Sequence, residues 1–308
     1  MLDLTNSSSI GFGSTIVGAC NNSGNSNETV LNDQAGIALG SDNTLYVGDN
    51  GLRLLAFTLN NRVGRVVATF GNWPSFVYLS NKTSTIYVTV PLVNLVYILP
   101  INKTIPPNGV PATNCSLMTV HSPTGITGDS SGNIYISSLG CNWITKWTPN
   151  ATSGILFAGS PTGAFGWDSV TLYAPYGMVV DEVNSFLYVA DRYNYRIQKF
   201  PLNGSGIGIT VAGDNGEGPG ANEFYRPTDV YLSKFDGSLY VVDSFNNRVQ
   251  KWLKNATSGI TIAGSAAGTS GNTPYLLNKP YSFAIDDQEK YMYVSDSFNN
   301  RIQRFTLQ

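Results

Sequence analysis

Short runs of β-branched and aromatic residues alternate with polar, glycine-rich breaks along the whole chain. A unit built around Leu/Ile-Tyr-Val centres on Tyr46, Tyr87, Tyr135, Tyr188, Tyr240 and Tyr293, at intervals of 41, 48, 53, 52 and 53 residues. A period of that size predicts an array of like supersecondary units. In the three clearest copies, residues 174–200, 226–252 and 279–305, three runs are separated by turn residues, which predicts a strand meander A–B–C. A fourth run follows the third: GILFAG (154–159), GITVAG (208–213) and GITIAG (259–264) supply strand D. Earlier copies are more degenerate, and the D strand expected within 109–120 is poorly defined.

The number of strands settles the architecture. Six A–B–C sets are followed by only five D strands, and the last set ends at Gln308 without one. The missing strand is at the other end, where STIVG (14–18) matches ITVAG and ITIAG. Unpaired sheet edges are costly and prone to association, so the first strand is expected to complete the last blade. The prediction is an all-β, single-domain, six-bladed β-propeller closed by that pairing. Its blades fall at about 34–71, 73–114, 122–159, 174–213, 226–264 and 279–308 plus 14–18.

Composition narrows the function classes. Charged residues make up 12% of the 308 residues, against about 25% in a usual soluble protein. Net charge is −2, and 18 Lys and Arg scattered through the chain do not predict the basic face that nucleic acid needs. No apolar run approaches the roughly 20 residues of a membrane helix. The opening MLDLTNSSSIGFGST lacks the marks of a signal peptide, so the chain is expected to be intracellular, or a fragment or mature form. Sequons point outward: Asn6, Asn21, Asn27, Asn81, Asn102, Asn114, Asn150, Asn203 and Asn255 each begin Asn-X-Ser/Thr. Asn102, Asn150, Asn203 and Asn255 follow the same strand of their repeats and are the expected glycosylation positions. Extracellular exposure is the preferred expectation, with a cytoplasmic location as the alternative. A disulfide between Cys115 and Cys141 is possible, leaving Cys20 over, and three free thiols are the competing reading.

The pattern P-x-G-[IV]-x-x-D, [LI]-Y-V-x-D and N-x-R-[IV]-Q-[KR]-[FW] resembles the NHL repeat. Pro175, Gly177, Asp181, Tyr188, Asp191, Asn194, Arg196, Ile197, Gln198 and Phe200 carry the likeness best. The resemblance implies a six-bladed propeller serving as a binding platform. Similar domains occur extracellularly, and others bind RNA through a positive face not expected here. A few relatives of similar architecture are enzymes. The lyase that finishes peptide amidation holds zinc with several histidines, whereas His121 is the one histidine here and catalytic zinc needs about three protein ligands. Calcium-dependent lactonases and esterases use an acidic ring at the channel, which has no aligned counterpart in this chain.

Repeated positions read as architecture. Asp191, Asp243 and Asp296, each followed five residues later by Arg196, Arg248 and Arg301, are expected to brace the B–C hairpins. Function is sought where the repeats differ. The D–A connections 160–174, 213–226 and 264–279 carry aromatic residues, and loops on a rigid scaffold commonly hold binding sites. Trp167, Tyr173, Tyr176, Phe224, Tyr225, Arg226, Asp229, Tyr275 and Tyr281 are the candidate site residues. Asp229 is also a weak candidate for a channel cation, and Asp214 with Glu217 a weaker one for calcium. No P-loop, dinucleotide fingerprint or nucleophile elbow is present, so neither a cofactor nor a catalytic residue is expected. The expectation is a monomeric, non-catalytic platform binding a protein or glycan, without membrane insertion. A calcium-dependent hydrolase or lyase, and an intracellular scaffold or RNA-binding module, are the alternatives.

Overall fold

The computed structural model describes residues 12–18, 31–33, 35–59, 63–80, 84–100, 108–109, 115 and 120–307. They form six four-stranded antiparallel sheets. Blade 1 comprises Ile37–Leu39, Thr44–Asp49, Arg53–Thr58 and Arg65–Thr69. Blade 2 comprises Val77–Ser80, Thr85–Val90, Leu95–Pro100 and Asn108–Gly109. Blade 3 runs Pro123–Gly128, Ile134–Ser138, Trp143–Trp147 and Ile155–Gly159. Blade 4 runs Pro175–Asp181, Phe186–Asp191, Arg196–Pro201 and Ile209–Gly213. Blade 5 runs Pro227–Leu232, Leu239–Asp243, Arg248–Trp252 and Ile260–Gly264. Blade 6 has Pro280–Ile285, Tyr291–Asp296 and Arg301–Thr306, and its outer strand is Ser14–Gly18 from the chain's start.

That outer strand closes the ring. Ser14 pairs with Arg304, Thr15 with Gln303, Val17 with Ile302 and Gly18 with Arg301. Val17 is buried with Leu31, Ile37 and Ile302, so closure joins the packing of blades 6 and 1. Large side chains form the remaining clusters: Phe224, from the loop entering blade 5, with Trp252 and Val241, and Tyr240 of blade 5 with Phe283 and Met292 of blade 6.

Near the axis the A strands approach each other closely. A side chain at Gly36 would strike the backbone of Phe76, and one at Gly125 the carbonyl of Tyr176. Hydroxyls stitch blade to blade. Thr89 Oγ1 donates to Thr124 O at 2.6 Å, Thr124 Oγ1 to Pro175 O at 2.9 Å and Ser137 Oγ to Tyr176 O at 2.8 Å. Between blades 1 and 2 Gly36 N donates to Ser75 O at 2.6 Å. Among the described residues no helix is long and apolar enough to cross a membrane.

Placing a carboxylate in the closing seam gives a direct check. Val17→Asp buries an unpaired charge and is expected to lower the calorimetric midpoint by about 10 °C, the effect of several kcal/mol. An unchanged midpoint would show that the seam does not hold the ring together.

Candidate functional site

Each B strand of blades 4–6 ends in an aspartate that binds three kinds of donor. Oδ1 of Asp191, Asp243 and Asp296 accepts the backbone N–H of Tyr173, Tyr225 and Asn278, each at 2.7 Å. Oδ2 accepts Nε of Arg196, Arg248 and Arg301 at 2.7–2.8 Å, and Nδ2 of Asn194, Asn246 and Asn299. Each guanidinium reaches on into the preceding D–A loop. Arg196 donates to Trp167 O and Asp168 O, Arg248 to Pro219 O and Gly220 O, and Arg301 to Asn272 O and Thr273 O. The pair therefore braces more than its hairpin: it fixes the loop that enters the same blade. Burial pushes the Asp191 and Asp243 carboxyls up to about 6, with the arginine pulling them down. The GDNGEGPG segment lends its carbonyls to these clasps, and no metal-ligating cluster forms around Asp214 and Glu217 among the described residues.

A second link joins the B–C turns of blades 2, 3, 5 and 6 to the next blade. Asn94, Asn142, Asn247 and Asn300 adopt left-handed backbone, which suits asparagine. Their side-chain oxygens accept N–H groups of Ser122, Ala174, Lys279 and Asp33. Blades 1 and 4 depart from the pattern: Leu52 and Tyr195 occupy this place, and the Tyr195 ring meets Tyr225, 6.2 Å between centroids.

On this face the axis is closed by aromatic side chains. Phe76, Tyr176 and Tyr281 come from blades 2, 4 and 6 and touch pairwise at 5.5–6.2 Å between centroids. The Tyr281 hydroxyl bonds to Ser75 Oγ at 2.6 Å, and burial lifts its pKa well above the ordinary tyrosine value. Above this plug lies a cavity of about 390 Å³, walled by Asp33, Trp73, Arg192, Phe245, Lys279 and Phe298, with Thr228 and Tyr281 on its floor. Burial raises the Asp33 carboxyl above its usual range, with Lys279 opposing.

The sequence-predicted residues are divided by the structure. Arg226 stands by the cavity rim, its guanidinium 4.6 Å from the centre of the Phe245 ring. Tyr225 packs on Phe245 as well. Tyr173 stacks on Phe165 at 4.4 Å, and Trp167 and Tyr275 are exposed further out on the same loops. Tyr176 and Tyr281 belong to the plug rather than to an open rim. Phe224 is fully buried against Trp252, because the 213–226 connection turns inward before blade 5. Asp229 is in the wall below the plug, where Oδ2 accepts Ser282 Oγ at 2.7 Å and Oδ1 accepts Val230 N at 2.9 Å. Its oxygens are thus occupied by protein donors, and burial pushes its pKa up to about 7. Sequence reasoning missed Arg192, Tyr193, Phe245, Lys279 and Phe298. The available signal was the first turn position, Arg192 in blade 4 against Ser244 and Ser297 in blades 5 and 6.

Cys115 and Cys141 are joined by a disulfide, with Cα atoms 5.6 Å apart. His121 lies beside it, and the three side chains form a compact potential metal-ligating group within 4.8 Å. Both sulfurs are committed to the bridge, and one histidine remains. That donor set does not fit a zinc centre. Of the expected glycosylation positions, Asn150, Asn203 and Asn255 are exposed in equivalent C–D turns on the opposite face, and Asn102 lies outside the described residues.

No family model matches the chain. Over 135 residues it is 27% identical to a probable peptidyl-alpha-hydroxyglycine alpha-amidating lyase of Caenorhabditis elegans, covering 44% of this chain and 37% of the relative. It is likewise 27% identical over 135 residues to the peptidyl-glycine alpha-amidating monooxygenase of Mus musculus, covering 43% and 14%. The chain thus spans well under half the length of these relatives. A structure of a protein of unknown function from Bacteroides thetaiotaomicron matches with a TM-score of 0.76 at 17% identity, over 96% of this chain and 75% of the other. An auxiliary nutrient binding protein from the same organism gives 0.72 at 14%, over 95% and 75%. A streptogramin B lyase gives 0.61 at 15%, over 92% and 96%. The expectation that the chain is not an enzyme is corrected here: its sequence relatives carry the names of amidating enzymes, and a lyase shares its fold.

Asp229 yields a pH prediction. Its proton is held more tightly folded than unfolded, from an ordinary value of 3.8 to about 7, so its contribution to stability is full below pH 4 and is lost as pH rises through 7. Asp229→Asn removes that loss. The variant is expected to melt at least about 2–4 °C above the parent at pH 8, roughly 1 kcal/mol, and level with or below it at pH 4. Parallel pH–stability curves for the two proteins would contradict this.

Proposed function

We propose that the chain is a recognition module whose B–C and D–A loop face takes the end group of a protein or glycan partner, and that it works as a monomer outside the cell. The observation that carries this reading is the cavity of about 390 Å³ at the closed channel mouth, walled by side chains where the repeats diverge. Its volume falls in the roughly 300–1,000 Å³ range of ligand sites. The clasps hold the surrounding loops rigidly, which lowers the ordering cost of binding. The resemblance to NHL repeats agrees with a platform role, and the nutrient-binding neighbour lends the same fold to that kind of task. Extracellular placement is supported by the disulfide and by the three exposed, equivalent sequons. The enzymatic relatives make turnover of the bound partner a quantity to measure in the same experiment.

Glycan and peptide arrays probed with the parent, Phe298→Ala and Phe235→Ala test the face. Phe298 is on the loop face and Phe235, 72% exposed, is on the opposite one. Phe298→Ala is expected to lose at least about tenfold in affinity and Phe235→Ala to keep it, with mass spectrometry of the recovered partner reporting any product. The reverse pattern would move the site to the other face. Glycopeptide mapping of protein from its native host is expected to find Asn150, Asn203 and Asn255 modified. Bare asparagines at all three would remove the extracellular reading.

A further inference from the structure

The arginines near this face fall into two populations. Arg53, Arg196, Arg248 and Arg301 are buried and paired with Asp49, Asp191, Asp243 and Asp296. Arg192, Arg226 and Lys279 have no carboxylate within 4.0 Å among the described residues. The Nε atoms of Arg192 and Arg226 are sealed from solvent and find no hydrogen-bond partner among the described residues. The Thr228 hydroxyl on the cavity floor, in a residue 1% exposed, is in the same condition. Buried donors without acceptors are rare, because each forfeits its hydration. Two of them belong to residues that line the cavity, Arg192 and Thr228, and Arg226 stands beside it over Phe245, which marks a place shaped for an acceptor.

Aromatic faces hold the cations without neutralising them. Arg192 lies 4.5 Å over Tyr176, Arg226 lies 5.0 Å over Tyr193, and Lys279 Nζ lies 4.4 Å over Phe298. Phe245 is shared by all three, at 4.6–5.8 Å. The cations occur only where the repeats diverge. Arg192 replaces the serine of blades 5 and 6, and Arg226 and Lys279 stand where blades 3 and 4 have Ser122 and Ala174. The chain's net charge is −2, so this is a local concentration of positive charge. The larger groove of about 910 Å³ between blades 4 and 5 offers no comparable set, since none of its lining side chains has an unpartnered buried polar atom.

We propose that this mouth binds an oxyanion, the carboxylate or phosphate group at the end of the partner. The inference rests on the recognition role of the loop face and adds the chemistry of the recognised group. Guanidinium groups offer planar, directional donors matched to oxyanions, and Lys279 adds a point charge. Thr228 Oγ donates from the floor. Phe245 and Phe298 pack against the body of the ligand, and Asp33, which lines the same cavity and couples to Lys279, disfavours an anion on its own side.

Calorimetric titration of the full chain at low ionic strength with benzoate, phenyl phosphate and neutral benzamide tests this. At least one anion is expected to bind ten or more times more tightly than benzamide, about the gain of one charge-assisted hydrogen bond, and the tighter anion identifies carboxylate or phosphate. Arg192→Gln and Lys279→Gln are each expected to weaken that anion at least about tenfold while melting within about 2 °C of the parent. Lys234→Gln, on the opposite face, is expected to leave it unchanged. Benzamide binding as well as both anions, no binding of either anion, or unchanged affinity in both cavity variants would overturn the proposal. Array binding that persists through Phe298 in that event would leave the recognition role standing and remove only its oxyanion chemistry.

Discussion

The buried aspartate–arginine clasp is the interaction on which the loop face depends. Burying a charge pair is unfavourable unless every donor and acceptor is used. Here they are used: the Asp243 carboxylate takes a backbone N–H, an asparagine amide and Arg248 Nε, and the rest of the guanidinium is spent on loop carbonyls. The clasp therefore links three segments distant in sequence, namely the end of strand B, the start of strand C and the loop entering the blade. Removing either partner would strand the other charge and release the loop. This explains why Asp and Arg recur together in blades 4–6 and why blade 1 retains Asp49 with Arg53.

Blade 3 shows what the clasp is for by doing without it. Ser138 pairs with Trp143 at the positions where Asp243 pairs with Arg248. The same two elements, the connection entering the blade and its B–C turn, are instead joined by the Cys115–Cys141 disulfide. A covalent bond and an ionic network thus answer one mechanical demand. A tether of this length stabilises typically by about 2–4 kcal/mol, so blade 3 gives up a charge network without giving up its loop.

Much of the fold was legible in the chain because β-propellers repeat. The Tyr-centred B strands and the unmatched STIVG segment fixed the number of blades and the closure before any contact was known. The site was less legible, for a physical reason. An arginine committed to a clasp and one left unsatisfied are the same letter, and only partner geometry separates Arg196 from Arg192. Phe224 looked like an exposed loop anchor because sequence does not show that its connection folds back onto Trp252. Tyr176 and Tyr281 read as candidate site residues, since nothing in their own blades reveals that Phe76 meets them across the axis. The expectation of no enzymatic activity failed for a related reason. It rested on missing motifs, whereas the correction comes from the names of the sequence relatives and of a lyase with the same fold.

The plug and the cations together define what kind of recognition this face can perform. With Phe76, Tyr176 and Tyr281 in contact, nothing large enters the channel from this side, so a partner is met at the mouth and by one end. The cations there are stacked on aromatic faces, partly shielded and already held in position, so little entropy remains to be lost when an acceptor arrives. An aspartate within ion-pair distance of Arg192 would have turned it into another clasp, and Asp33, in the same cavity wall, is not that close. The site exists because blade 4 carries an arginine where blades 5 and 6 have serine, with no carboxylate within 4.0 Å of it among the described residues.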